Sequence, residues 1–133
     1  MRLILLLLSC LTIAHTYKIL VIFQVPSRSH NTIAEGVVRS LLKAGHEVTW
    51  VTPFDNNKPQ KNLVLVHVGG LTSLLEKIDM TDSTNRQSLS MLLELGRNVT
   101  SIMTENKQFR DILLTQQFDA VITEWFFTDT PAG

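Results

Sequence analysis

The chain has 133 residues and a single cysteine, Cys10. That cysteine falls in residues 1–16, where a short basic start (Met1, Arg2) precedes an apolar run at residues 3–8 and then small or polar residues as far as Ala14 and Thr16. This is the layout of a secretory signal peptide, and its apolar run is too short for a membrane span. Cleavage after Thr16, or after Ala14, leaves a chain without cysteine. No disulfide can then brace it, so a lumenal or secreted domain of this kind must rest on its apolar core. The 44% hydrophobic content is enough for an ordinary α/β domain.

Other absences narrow the function. No second stretch of about 20 apolar residues follows the leader, so the sequence carries no membrane anchor of its own. Loss of Arg2 takes one from the 12 basic residues and leaves the 12 acidic ones, a net charge of about −1 with histidine neutral. Neither a nucleic acid nor an anionic membrane is a natural partner for that balance. No histidines, cysteines or carboxylates stand at metal-ligand spacing, which argues against a metal site. The G-x-G-x-x-G turn of dinucleotide-binding folds and the G-x-S-x-G nucleophile elbow are both missing.

What is present is an alternation of apolar runs and helical patterns. Residues 18–25 are nearly continuous in Ile, Leu, Val and Phe, as in a strand buried on both faces of a parallel sheet. Pro26 ends the run, and Ser27, Ser29 and Asn31 suit a turn and a helix cap. The spacing predicts a helix over about 31–44, with Ile33, Ala34, Val37, Val38, Leu41 and Leu42 on one face. Glu35 lies near its start, Arg39 and Lys43 lie near its end, and Gly45 is its left-handed stop. A second strand follows at 47–52, a polar loop at 54–61 and a third strand at 62–68. Residues 71–80 form either a short helix or an irregular crossing, and a polar turn follows at 81–85. An amphipathic helix from Arg86 carries Leu89, Leu92, Leu93, Val99, Ile102 and Met103 and breaks near Asn106. A second helix, with Phe109, Ile112 and Leu113, runs toward Gln117. Residues 120–123 read as a fourth buried strand, with Glu124 at its carboxyl end.

This alternation predicts an α/β fold, a Rossmann-like doubly wound parallel sheet; if its strand order is the usual 3-2-1-4, strands one and four are neighbours. Ligands of such sheets bind beyond the carboxyl ends of strands at the switch point. His30, in the polar turn after strand one, and Glu124, after strand four, would then face one crevice from adjacent strands. Imidazole suits general-base work near neutral pH, and a carboxylate can orient it and stabilise the imidazolium. Asp129 remains a rival partner, whereas Asp119 begins strand four and points to the wrong end of the sheet. Ser27, Ser29 and Asn31 beside the histidine, and Trp125 and Phe126 beyond Glu124, are candidate substrate contacts; packing in the core is the alternative for the aromatic run through Phe127. His46 and His67 read as structural. Asn98-Val99-Thr100 fits the N-glycosylation pattern.

The leader followed by KILVIFQVPSRSHNTIAEGVVRSLLKAGHEVTWVTPF resembles the start of animal UDP-glycosyltransferases, particularly insect members, and FDAVITEWFFTD resembles their fourth-strand segment. The resemblance covers most of residues 17–133. It implies the acceptor-binding N-terminal half of a GT-B fold, here truncated, whose missing C-terminal half would bind the UDP-sugar. That sugar is a co-substrate, and no further cofactor is implied. A histidine matched by His30 deprotonates a small lipophilic hydroxyl acceptor, whose oxygen attacks the anomeric carbon with inversion. The family orients that histidine with an aspartate where this chain has Glu124, one methylene longer, so the hydrogen bond needs a shifted backbone or another acid. The resemblance further implies residence in the endoplasmic reticulum lumen, with membrane attachment only through a missing C-terminal anchor; a secreted short form is the alternative. The competing expectation is a non-catalytic module that binds acceptor-like ligands or pairs, as a homo- or hetero-oligomer, with full-length enzyme. A less favoured one is an unrelated nucleotide-dependent α/β enzyme.

Overall fold

Four apolar runs become four parallel strands: β1 (Lys18–Ile22), β2 (Glu47–Thr52), β3 (Leu63–His67) and β4 (Ala120–Thr123). The computed structural model of the chain describes residues 15–55, 59–76 and 89–125. The strands lie in the order β3-β2-β1-β4, the usual order for such a sheet. Most of the leader, the turn at 81–85, the helix start at Arg86, and Phe126, Phe127 and Asp129 lie outside the described residues.

β1 is central and buried on both sides, which explains why its sequence does not alternate. Ile19, Val21 and Phe23 face one layer, where they meet Ala34, Val38, Val48 and Trp50. Leu20 and Ile22 face the other, with Val51, Val66, Val99, Met103 and Phe109. The ladder ends at Ile22 rather than at Val25. Phe23 still donates its N–H to the Val51 carbonyl at 3.2 Å, but the Val25 N–H turns to a side chain instead.

Helix α1 (Arg28–Lys43) begins three residues earlier than its apolar pattern suggests. The Asn31 N–H already bonds the Ser27 carbonyl at 3.0 Å, so Ser27, in extended conformation, is the N-cap. Its hydroxyl caps nothing; it pairs with the Ser29 hydroxyl at 2.8 Å. With this start the first turn holds no acid, and Glu35 instead pairs with Arg39 along the helix at 3.0 Å. Ile33, expected on the apolar face, is 61% exposed, because it lies about 140° around the helix from the buried Val38. The C-terminus closes as expected. Gly45 (φ +91°) donates to the Leu42 carbonyl and His46 to that of Leu41, the paired bonds of a Schellman stop.

After β3, a 3₁₀ turn (Gly69–Leu71) leads into α2 (Thr72–Glu76), so residues 71–76 are helical rather than an irregular crossing. Helices α3 (Leu89–Glu105) and α4 (Lys107–Thr115) cover the second face and break at Asn106 as expected. The Asn106 side chain caps α4 by accepting from the Phe109 N–H at 2.9 Å and donates to the His67 carbonyl at 3.2 Å, tying the break to β3. Leu92, Leu93 and Leu113 are more exposed than their spacing implies; the buried stripe is Leu95, Val99 and Met103 on α3 with Phe109 and Ile112 on α4. The expectation of a buried fourth strand is also corrected. Among the described residues β4 pairs on one edge only, and Val121 is 51% exposed. No helix among them is long and apolar enough to cross a membrane.

Candidate active site at the carboxyl edge of the sheet

The parallel sheet brings the ends of β1 and β4 side by side. Ile22 pairs with Thr123, and the Glu124 N–H reaches the Ile22 carbonyl at 3.3 Å, extending the ladder by one residue. The Glu124 side chain therefore starts from a fixed strand end and folds under the turn that follows β1. Helix α1 leaves that turn with His30 as its third residue, so the imidazole stands over the same strand ends.

The two side chains meet, although 94 positions separate them in sequence. His30 Nδ1 lies 2.6 Å from Glu124 Oε2, and the other carboxylate oxygen, Oε1, accepts the Val25 N–H at 2.5 Å. Glu124 is buried and His30 only half-buried. Beside an ionised carboxylate, which has no proton to give, the proton of this contact sits on Nδ1, and a neutral ring then has Nε2 as its acceptor nitrogen. Hydrogen bonds of this kind, with one partner charged, are shorter and stronger than neutral ones. Glu124 also brings negative charge to the electropositive start of a helix that has no acid of its own in its first turn. The added methylene of glutamate requires no second acid here: one carboxylate spans the distance to both the histidine and the backbone.

The other expected contacts are distributed less simply. Ser27 and Ser29 lie in the same turn, hydroxyl to hydroxyl. Asn31 has its oxygen engaged by Thr52, whose hydroxyl donates to Oδ1 at 2.8 Å. Trp125 is 89% exposed, outside the two core clusters, and Phe126 lies outside the described residues. Asn98 is exposed on α3. His46 accepts from the Tyr17 N–H, His67 meets the Pro53 carbonyl, and Asp119 accepts from the Lys18 N–H at the opposite end of the sheet. Among the described residues no three His, Cys, Asp or Glu side chains gather as metal ligands. Sequence reasoning missed Thr52 and the buried Gln24, which end β2 and follow β1. The signal was a polar residue at the carboxyl end of an otherwise apolar run.

Comparison with known proteins gives a consistent picture. The chain is 30% identical to UDP-glucosyltransferase 2 of Dactylopius coccus over 122 residues, which cover 87% of this chain and 24% of that protein. It is 26% identical to the ecdysteroid UDP-glucosyltransferase of Spodoptera littoralis nuclear polyhedrosis virus, covering 86% of this chain and 28% of that protein. No family model matches the sequence, and no solved structure matches it. The chain thus spans about a quarter of the length of the curated relatives it matches. Over that span the chain is similar to UDP-glucosyltransferases, and its parallel α/β sheet is like the Rossmann-like half of a GT-B fold.

Proposed function

We propose that the protein carrying this segment transfers a hexosyl group from a UDP-sugar to the hydroxyl of a small lipophilic acceptor, and that His30 is the general base. The observation that carries the reading is the 2.6 Å contact between His30 Nδ1 and the buried Glu124 carboxylate at the carboxyl edge of the sheet. The printed names of both relatives, UDP-glucosyltransferases, support the donor class.

In this reading Nε2 removes the proton of the acceptor hydroxyl. The oxygen forms a bond to the anomeric carbon as the bond to the UDP oxygen breaks. UDP leaves with that electron pair, and the configuration inverts. Glu124 holds the ring in the tautomer that leaves Nε2 basic and stabilises the imidazolium that forms. Ser27, Ser29 and Trp125 are proposed to contact the acceptor around that nitrogen. Holding acceptor and donor together supplies much of the rate, so a base without a bound donor gives no turnover. We further propose that the chain enters the secretory route through residues 1–16, which would expose Asn98 to N-glycosylation.

The experiment is UDP-sugar-dependent glycoside formation on a panel of phenols and hydroxylated lipids, comparing the enzyme that contains this segment with its His30→Ala variant. Loss of transfer by about 10²–10⁴-fold, with acceptor binding retained, is the expected result. Near-normal turnover of the variant overturns the assignment.

A further inference from the structure

We infer that Thr52 is a positioning residue for His30, acting through Asn31. The two strands that flank β1 each hold the first turn of α1. From β4, Glu124 takes His30 with one oxygen and the Val25 N–H with the other. From β2, the Thr52 hydroxyl donates to Asn31 Oδ1 at 2.8 Å and accepts the Phe54 N–H at 3.2 Å.

Thr52 is a firm anchor. It is fully buried, it is β-branched and therefore stiff at χ1, and its carbonyl accepts the Val68 N–H at 2.9 Å, which ties it to the end of β3. Asn31 is where that anchor acts on the helix. Its own N–H bonds the N-cap carbonyl of Ser27, and it follows His30 directly in the chain. The helix start needs outside support, because Ser27 makes no side-chain cap. A rotation of the first turn that carries His30 away from Glu124 also pulls Asn31 from Thr52. The turn is thus held on two sides, and the Thr52 bond sets how long His30 stays on its carboxylate.

The catalytic consequence rests on the proposed role of His30, but the test does not need turnover. In the ¹⁵N-histidine-labelled chain, the exchange of the His30 Nδ1 proton with water reports opening of the bond to Glu124. Thr52→Val removes the donor in a side chain of similar shape, and Thr52→Ser retains it. Exchange is expected to be about threefold to tenfold faster in Thr52→Val and close to wild type in Thr52→Ser. Asn31→Ala, at a half-buried position, should accelerate exchange comparably even if valine at the buried site unfolds the chain. The Thr52→Val/Asn31→Ala double variant should exchange no faster than the faster single one. Wild-type exchange in Asn31→Ala, or a double variant whose acceleration is the product of the two singles, overturns the positioning role. A transferase assay in which His30→Ala stays active overturns the proposed base instead, and leaves this exchange result standing.

Discussion

Glu124 holds His30 and the Val25 backbone with different oxygens of one carboxylate, at 2.6 Å and 2.5 Å. The side chain therefore joins three elements, the end of β4, the turn after β1 and the first turn of α1. Its charge and its reach both matter: a carboxylate opposite Nδ1 favours the tautomer with the proton on that nitrogen, and the reach closes the turn beneath it.

Glu124→Gln keeps the reach and loses the charge. A carboxamide can satisfy the Val25 N–H through its oxygen, but its NH₂ then opposes the Nδ1–H of His30. In the transferring enzyme, kcat is expected to fall by about 10²-fold or more with little change in the KM of the donor. Glu124→Asp keeps the charge and shortens the arm, so that one of the two bonds must lengthen, and a loss of about tenfold is expected. Steady-state kinetics on the two variants check the order; a glutamine variant more active than the aspartate one contradicts it.

Asn106 makes two bonds that no alanine can replace, the cap to the Phe109 N–H and the tie to the His67 carbonyl. Asn106→Ala should cost about 1–2 kcal/mol in urea unfolding, the upper part of the range for a helix cap. Asn106→Asp retains the capping oxygen and should recover roughly half of the loss.

Phe109 and Leu114 stand on one short helix with opposite fates, the first fully buried between α3 and the sheet, the second 77% exposed. Phe109→Ala should destabilise by about 3–5 kcal/mol, a large share of a small domain's total stability. Leu114→Ala should stay within about 0.5 kcal/mol of wild type. Equilibrium denaturation of both variants reads the contrast directly.

Much of the fold is legible in the sequence because strand and helix periodicities are local. The unbroken apolar run of β1 required cover on both faces, and it has it. Gly45 stopped α1 where a left-handed residue was required. What local pattern misjudged was exposure. Ile33 had the right residue type and the wrong angle, Leu92 and Leu93 continued a stripe that is well covered only from Leu95 onward, and β4 reads as buried but, among the described residues, lies at a sheet edge. The start of α1 was misplaced because its cap is made by backbone geometry rather than by a serine or asparagine side chain.

A histidine in the polar turn between an apolar strand and an amphipathic helix is a property of the sequence by itself. So are the alternation of elements and the polar residue placed after the fourth strand. Tertiary structure alone decided that Glu124 reaches His30 despite its extra methylene, that it also takes the Val25 N–H, and that Thr52 grips the same turn from the other side. The physical reason is the range of the interactions. Periodicity and capping act over a few residues, whereas a hydrogen bond between side chains 94 positions apart depends on sheet register and on ångström distances that no spacing rule contains.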